Sequence, residues 1–219
     1  MNFAESSDTP PPPTYLTYQD LKIRLIPDHS LWGHVLWNAS KFICEKIQNK
    51  TINVQNKTVL EFGAGAAIPC IYSAKYGAQK VVATDFPEFE ILENIQYNMK
   101  NNNVTVEVLP LLWGDTINQQ FDIIFLCDLI FNHNEHDNLA KSTFKLLKDN
   151  GTAYCTFSHH QPNKTLNDLN FFDICKVNRL KCEYISQENY GRMFPEDDLK
   201  YQNYAQEGRE NVYFWKITK

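Results

Sequence analysis

A glycine-rich turn after a short apolar segment is the clearest sign of chemistry in this sequence. The run Thr58-Val-Leu-Glu-Phe-Gly-Ala-Gly-Ala-Ala-Ile-Pro69 carries an acid, Glu61, and then the pair Gly63 and Gly65. Because glycine has no Cβ, the backbone at these two positions can turn tightly and a ligand can approach it closely. The residue types and their spacing therefore predict a nucleotide-binding loop between a strand and a helix.

The same loop narrows the choice of nucleotide. A dinucleotide-binding loop has a third small residue at the end of Gly-x-Gly-x-x-Gly, but Ile68 holds that place and Ala67 lies one step earlier. A Walker loop would continue into Gly-Lys-Ser or Gly-Lys-Thr, and this loop does not. Binding of a dinucleotide or of a nucleoside triphosphate is therefore disfavoured.

A second acid follows the glycines at the interval expected for a ribose ligand. The apolar run Lys80-Val-Val-Ala-Thr-Asp85 ends in a carboxylate, about 20 residues beyond the glycines, where an acid can accept hydrogen bonds from ribose hydroxyls. We predict that Asp85 binds a ribose. The alternative is that Asp85 caps the following helix, because aspartate is also a good N-cap residue.

A third acid follows a segment typical of a strand buried on both faces. Phe121-Asp-Ile-Ile-Phe-Leu-Cys127 is almost continuously apolar, and Asp128-Leu-Ile-Phe131 comes directly after it. Ligands of open α/β sheets bind outside the carboxyl ends of the strands, so Asp128 and Phe131 should face the same crevice as Glu61 and Asp85. The alternative is an acid that only caps the loop.

The elements that must position these residues alternate along the chain. Strands are predicted near 57–62, 80–85, 104–110, 121–127, 152–157, 180–186 and 211–217, and helices near 31–47, 67–76, 88–101, 135–149 and 164–176. This order predicts an α/β fold with a Rossmann-like, mostly parallel seven-stranded sheet and helices on both faces. No convincing helix separates the last two strands, so the last strand should pair antiparallel.

The domain organisation follows from length and local composition. Residues 1–14 are polar and end in a proline run, which predicts a flexible tail. Alternating residues within 15–30 predict an N-terminal hairpin. The 219 residues, 43% of them hydrophobic, are enough for one substantial core, and we expect residues 15–219 to form a single domain.

Composition also limits the class of partner and the compartment. The net charge of −5 argues against nucleic-acid binding, which usually requires a basic face. Six scattered cysteines without a Cys-x-x-Cys pair indicate reduced thiols. With no signal peptide and no apolar run long enough to cross a bilayer, we expect a cytoplasmic protein, monomeric and without membrane contact.

The histidines could suggest a metal site. His133 and His136 are three residues apart, and His159 and His160 are adjacent. Zinc sites normally need further grouped cysteine or histidine ligands, and none is grouped with these. We therefore expect no metal.

Several of these motifs together resemble a known family. Glu61-x-Gly-x-Gly-x-Ala67 resembles motif I of the S-adenosylmethionine-dependent methyltransferases, and Asp128-x-x-Phe131 resembles the signature of methyltransferase family 16, which contains the eukaryotic lysine methyltransferases. Ala67 replaces the third glycine that is commoner in the family. The resemblance implies S-adenosyl-L-methionine as the cofactor.

One branch of the family is similar over nearly the whole chain after residue 14. The segments that carry the similarity are Leu31-Trp-Gly-His-Val-Leu-Trp-Asn-Ala39, Asn94-Ile-Gln-Tyr-Asn98, Asp128-Leu-Ile-Phe-Asn-His133 and Phe157-Ser-His-His-Gln-Pro162. That branch comprises fungal and protist enzymes that methylate the N-terminal glycine and the adjacent lysine of translation elongation factor 1-alpha. The resemblance thus implies a protein N-methyltransferase with elongation factor 1-alpha as its partner.

The resemblance also implies roles for individual residues. Trp113 would lie against the adenine ring, and the segment ending in Trp37 would close over the methionine part of the cofactor; both could instead be packing residues. The implied cofactor-binding residues are Trp37, Glu61, Gly63, Ala64, Gly65, Asp85, Trp113 and Asp128.

The implied catalytic residues are Asp128, Phe131 and His133. An anionic Asp128 would favour the ammonium form of a substrate, so we assign it the positioning of the amine rather than its deprotonation. Phe131 would line the methyl channel and His133 would lie at its rim.

Two alternatives to a protein N-methyltransferase stay open from the sequence. The substrate could be a small aromatic amine such as nicotinamide, in which case no protein would be methylated. The chain could also be a catalytically inactive module that only binds the cofactor.

Overall fold

The computed structural model describes residues 12–27, 33–194, 196 and 199–219. Most of the predicted N-terminal tail, and Leu31 and Trp32 of the segment before the first core helix, lie outside these residues. No helix in the described ranges is both long enough and apolar enough to span a bilayer.

The described residues include nine strands and six α-helices, together with two short 3-10 helices (His133–Glu135 and Pro162–Lys164). The strands are β1 (Thr14–Tyr18), β2 (Leu21–Leu25), β3 (Thr58–Phe62), β4 (Lys80–Asp85), β5 (Glu107–Pro110), β6 (Phe121–Cys127), β7 (Leu147–Phe157), β8 (Lys181–Asn189) and β9 (Asn211–Thr218). The helices are α1 (Asn38–Gln48), α2 (Ile68–Lys75), α3 (Phe89–Asn101), α4 (His136–Leu146), α5 (Thr165–Val177) and α6 (Glu207–Glu210).

The central sheet has seven strands in the order β5-β4-β3-β6-β7-β9-β8. The first five of these strands pair in parallel, whereas β9 lies antiparallel between β7 and β8. The predicted fold class is therefore confirmed, including the antiparallel last strand. β1 and β2 form a separate antiparallel hairpin.

Helices cover both faces of the sheet because alternate strand residues point to opposite sides. In β3, Val59 packs in the apolar cluster that includes residues of α1, α2, α3 and the hairpin. The next residue, Leu60, packs in the cluster that includes residues of α4 and α5. Parallel strands buried in this way direct all their carboxyl ends to one edge of the sheet, where the candidate site lies.

Some element boundaries differ from the prediction. α1 begins at Asn38 rather than near residue 31, because the chain is still extended at Trp37 (φ −67°, ψ 138°). α4 ends at Leu146, and β7 begins at Leu147, which pairs with Phe121 at the start of β6 before the register shifts. The apolar pair Leu146-Leu147 extends the helical pattern in the sequence, although its second member belongs to the sheet.

The hairpin is attached to the domain by asparagine side chains of α3 and the residue after it. Asn98 Oδ1 accepts a hydrogen bond from Arg24 N (2.8 Å), and Asn98 Nδ2 donates to Arg24 O (3.0 Å). Asn102 forms the same pair of bonds with Lys22 (3.0 and 2.9 Å), and Asn94 Nδ2 also donates to Arg24 O (3.1 Å). We call Asn94, Asn98 and Asn102 the asparagine ladder.

Candidate functional site

The glycine loop between β3 and α2 adopts backbone angles that favour glycine. Gly63 and Gly65 both have φ of +53°. A Cβ on Gly63 would lie 2.6 Å from Leu129 Cδ2, whereas a Cβ on Gly65 would meet no atom within 4 Å. Backbone angle and packing therefore both favour glycine at Gly63, and backbone angle favours it at Gly65, with open space beside it where a ligand can approach.

Ala67 shows how the chain accommodates the missing third glycine of the motif. Its φ of +57° lies in the left-handed region, which costs a residue with a Cβ roughly 1–2 kcal/mol. Ala67 is buried and directly precedes α2. The alanine therefore keeps the conformation that glycine would adopt.

Glu61 is buried beneath the glycine loop. Its Oε2 accepts a hydrogen bond from Cys70 N (3.1 Å) in the first turn of α2. Burial, the largest influence, raises the pKa of the Glu61 carboxyl to about 8, although hydrogen bonds from Cys70 lower it. Glu61 thus ties β3 to the start of α2 and carries a proton at neutral pH.

Asp85 connects the end of β4 to the glycine loop. Its Oδ2 accepts a hydrogen bond from Gly65 N (2.8 Å), and its Oδ1 accepts one from Phe86 N (2.7 Å). The N-cap residue of α3 is Glu88, so the alternative that Asp85 caps this helix is wrong. The carboxylate lies beside the loop, where the ribose prediction requires it.

Trp113 lies in the segment after β5, on the same edge of the sheet. This segment runs beside the end of β4, since Leu111 N donates a hydrogen bond to Asp85 O (2.9 Å). Trp113 is partly buried and packs against the apolar cluster that includes residues of α4 and α5.

Asp128 is the most constrained acid of the site. It has φ of +53°, an angle that side chains with a Cβ rarely adopt and that is concentrated at functional sites. Its Oδ1 accepts hydrogen bonds from Ser158 N (3.1 Å) and from His160 Nε2 (3.0 Å). Its Oδ2 is buried and has no donor among the residues that the structure describes.

Four rings lie close together, and one of them, His160, is hydrogen-bonded to this carboxylate. The Trp37 ring centroid is 5.2 Å from that of His160, 5.7 Å from that of Phe194 and 6.4 Å from that of Phe131. Phe131 is 41% exposed, so solvent reaches one wall of the group. We call Trp37, Phe131, His160 and Phe194 the aromatic enclosure.

His133 contacts an acid of α5. Its Nε2 is 2.7 Å from Asp168 Oδ1, and His159 Nδ1 is 2.7 Å from Asp168 Oδ2. The structure thus groups His133 with Asp168 and His159, and gives it no hydrogen bond to Asp128. Within the described ranges no cluster of side chains could hold a metal ion.

Three residues near the site were not assigned roles from the sequence. The sequence suggests only a metal-ligand role for His160, and its hydrogen bond to Asp128 depends on β6 and β7 being neighbours. Asp168 and Phe194 lie in α5 and in a distant loop, and no local motif marks either of them. Only the folded chain brings them together.

The loop and the acids fit a nucleoside cofactor with an amino-acid part. Gly65 leaves open space beside a left-handed backbone, Asp85 offers a carboxylate next to it, and Asp128 Oδ2 is a buried acceptor without a donor. The open space beside Gly65 and the Asp85 carboxylate suit a ribose and its hydroxyls, and the Asp128 acceptor suits a cationic group.

Solved structures share this fold. A putative S-adenosylmethionine-dependent methyltransferase from Streptococcus mutans superposes with a TM-score of 0.66 at 12% identity, covering 95% of this chain and 56% of its own. The YcgJ protein of Bacillus subtilis superposes with a TM-score of 0.62 at 15% identity, covering 82% of this chain and 98% of its own. The seven-stranded sheet is therefore the fold of these solved structures, the first of which is a putative methyltransferase.

Sequence comparison identifies the family. Residues 19–178 match the family model described as lysine methyltransferase. The protein N-terminal and lysine N-methyltransferase EFM7 of Kluyveromyces lactis is 37% identical, covering 90% of this chain and 89% of its own. The Schizosaccharomyces pombe protein of the same name is also 37% identical, covering 91% and 83%. The chain belongs to this methyltransferase family, and its cofactor is S-adenosylmethionine.

Proposed function

We propose that this enzyme methylates the N-terminal amine, the adjacent lysine, or both, of translation elongation factor 1-alpha. The name of the relatives, protein N-terminal and lysine N-methyltransferase, supports a protein amine as the acceptor. The four segments that resemble the elongation-factor branch support the identity of the protein.

One observation carries the proposal: the buried Asp128 Oδ2 has no donor among the described residues and lies on a carboxylate bordered by the aromatic enclosure. An amine or ammonium group provides the N–H that this oxygen lacks. Aromatic faces attract cationic nitrogen and sulfonium groups. The combination therefore suits an amine that is brought next to a positively charged methyl donor.

The residues that hold the cofactor follow from their positions at the carboxyl edge of the sheet. We assign the ribose to Asp85, the close backbone approach to Gly63, Ala64 and Gly65, and the support of that loop to Glu61. Trp113 would border the adenine, and Trp37 and Asp128 the amino-acid part. When bound, S-adenosylmethionine supplies an electrophilic methyl group on a sulfonium.

The task of the remaining residues is to align the amine and to exclude water. Asp128 holds the acceptor nitrogen by a hydrogen bond, and Phe131 lines the approach to it. His133 would act at the rim of the site through its link to Asp168, rather than on the amine directly.

The ordinary pKa values of amines favour the N-terminal amine as the first acceptor. At a pH of about 7.4 it costs well under about 1 kcal/mol to deprotonate an α-amino group with a pKa near 7.8, but about 4 kcal/mol for a lysine with a pKa near 10.4. Because a carboxylate stabilises the ammonium form of a nearby amine, we assign Asp128 the positioning of the acceptor rather than proton removal.

The substrate is tested by incubating the enzyme with methyl-labelled S-adenosylmethionine and a cell extract that lacks this enzyme. We expect label on one protein, mapped by mass spectrometry to the amino terminus of elongation factor 1-alpha. Label on another protein would overturn the identity of the substrate. Label confined to small molecules would overturn the proposal and favour an amine such as nicotinamide.

The role of Asp128 is tested by Asp128→Asn, which keeps the size of the side chain but can place an amide donor where Oδ2 is an acceptor. We expect the transfer rate at saturating cofactor to fall by about 100-fold or more, a much larger change than that in the calorimetric affinity for S-adenosylhomocysteine, whose amino-acid part Asp128 also borders. Asp173→Asn, which removes an exposed acid of α5, is the matched control. Wild-type turnover in Asp128→Asn would rule out the role.

A further inference from the structure

We propose that His160 is a positioning residue that fixes the Asp128 carboxylate for amine binding, an inference that rests on the proposed role of Asp128. The two side chains lie on loops that follow neighbouring parallel strands, β6 and β7. His160 Nε2 lies 3.0 Å from Asp128 Oδ1. Both side chains are largely withdrawn from solvent, with exposed fractions of 13% and 1%.

Both donors to this carboxylate act on the same oxygen. Ser158 N and His160 Nε2 each donate to Oδ1, so the carboxylate is oriented by two groups of one short segment. Oδ2 is left buried and without a donor in the described part of the chain. A buried acceptor without a partner is unfavourable, and a ligand N–H at Oδ2 would relieve this. Ser158 N and His160 together thus leave Oδ2 for the amine, and His160 is the side chain of the two donors.

His160 is itself held rigidly enough to act in this way. Its ring packs against Trp37 (5.2 Å between centroids) and Phe194 (5.5 Å). The preceding residue, His159, is fixed by Asp168 (2.7 Å) and by a backbone bond from His159 N to Gly208 O (2.9 Å). A donor anchored on both sides can hold a carboxylate in one orientation.

Two substitutions separate the hydrogen bond from the packing of the ring. His160→Phe keeps an aromatic ring between Trp37 and Phe194 but removes the N–H. His160→Gln removes the ring but keeps an N–H donor at as many bonds from Cα as Nε2 of histidine. If the ring only packs, the Phe variant keeps its activity and the Gln variant loses it. If the N–H positions Asp128, the Gln variant keeps its activity and the Phe variant loses it.

We expect kcat of His160→Phe to fall by about 10- to 100-fold, with unchanged calorimetric affinity for S-adenosylhomocysteine. We expect kcat of His160→Gln to stay within about fivefold of the wild type, with most of its loss in KM for the acceptor because the enclosure has lost one ring. The assays use the acceptor that the labelled extract identifies, whether protein or small molecule. Wild-type kcat in the Phe variant would overturn the inference.

A second variant covers the case in which the Phe variant does not fold. His160→Ala leaves space for an imidazole molecule, and we expect added imidazole to restore part of the lost kcat without changing the melting temperature. Absence of rescue in a folded, cofactor-binding Ala variant would overturn the inference. Loss of transfer in Asp128→Asn together with full transfer in His160→Phe would refute this inference alone, whereas full transfer in Asp128→Asn would refute the role of Asp128 itself.

Discussion

Glu61 illustrates how burial can change the chemistry of a single residue in this site. A carboxyl at the end of the first strand of the motif could be expected to carry a negative charge that contacts the cofactor. The structure instead places it in the apolar interior beneath α2, 1% exposed, with a pKa of about 8. Its main effect without ligand is on stability, and this effect depends on pH.

The sign of that dependence follows from the two pKa values. Between about 4.5 and about 8 the folded state keeps the Glu61 proton and the unfolded state loses it. The free energy of unfolding should therefore fall as pH rises through this window, with a contribution of at most about 1.4 kcal/mol per pH unit. Above about pH 8 this contribution no longer changes.

Glu61→Gln, which resembles the protonated acid, should remove this contribution. We expect the Gln variant to gain stability relative to the wild type between pH 5 and pH 8 in urea unfolding without ligand. Equal pH dependence in the two proteins would contradict a raised pKa for Glu61.

The two glycines of the loop form a matched pair at the same backbone angle. Alanine at Gly63 would clash with Leu129 as well as adopt an unfavourable φ, whereas alanine at Gly65 meets only the unfavourable φ. We expect Gly63→Ala to lower the free energy of unfolding by about 2–4 kcal/mol and Gly65→Ala by about 1–2 kcal/mol. Chemical unfolding of both variants measures the difference.

For ligand binding we expect the larger effect at Gly65 rather than at Gly63, because the Cβ of Gly65→Ala would occupy the open side of the loop. We expect calorimetry to show a greater loss of S-adenosylhomocysteine affinity per unit of lost stability in Gly65→Ala than in Gly63→Ala. Equal affinity in the wild type and Gly65→Ala would mean that the open space beside this residue is not used by the cofactor.

At the scale of elements, α3 connects the hairpin to the cofactor loop through one side chain. Asn98 Nδ2 donates to Arg24 O (3.0 Å) in β2 and to Ala66 O (3.2 Å) in the glycine loop, while its Oδ1 accepts from Arg24 N. The side chain is fully buried, so removing it would leave several backbone groups without partners. The hairpin and the loop should therefore respond together when this residue is changed.

We expect Asn98→Ala to lower the free energy of unfolding by about 2–4 kcal/mol, and to increase hydrogen exchange both in β2 and in the glycine loop. Asn101→Ala is the matched control, because Asn101 is exposed and makes one bond to the hairpin, from Nδ2 to Lys22 O (3.2 Å). Faster exchange confined to the hairpin would show that Asn98 does not couple it to the loop.

The same elements show what local sequence can and cannot predict. The interior strands can be predicted because a continuous apolar run such as Phe121–Cys127 is typical of a strand buried on both faces. The start of α1 and the start of β7 depend on packing instead. The spacing of the asparagines in α3 is visible in the sequence. Their bonding partners in the hairpin lie at least 70 residues away, and no local pattern specifies a contact of that kind.

For the whole molecule, the predicted sheet and its antiparallel strand are confirmed because alternation of strand and helix leaves few topologies. Glu61, Asp85 and Asp128 could be placed at one edge for the same reason, since parallel strands end together. The partners of Asp128 and His133 could not be predicted, because those pairings depend on which loops become neighbours. The roles of the site residues remain predictions that the proposed variants test.

The asparagine ladder also has a geometric consequence for the edge of β2 that contacts α3. Four residues of helix rise about 6.0 Å, and two residues of strand about 6.7 Å, so amides on α3 nearly match the spacing of backbone groups on β2. Side-chain amides of a helix can therefore form hydrogen bonds to a strand as a neighbouring strand would. The mismatch of about 0.7 Å per step limits this pairing to a few residues. Because the amides already occupy the β2 edge at Lys22 and Arg24, a strand from another molecule cannot add there, and this edge is protected from the edge-to-edge association that leads to aggregation.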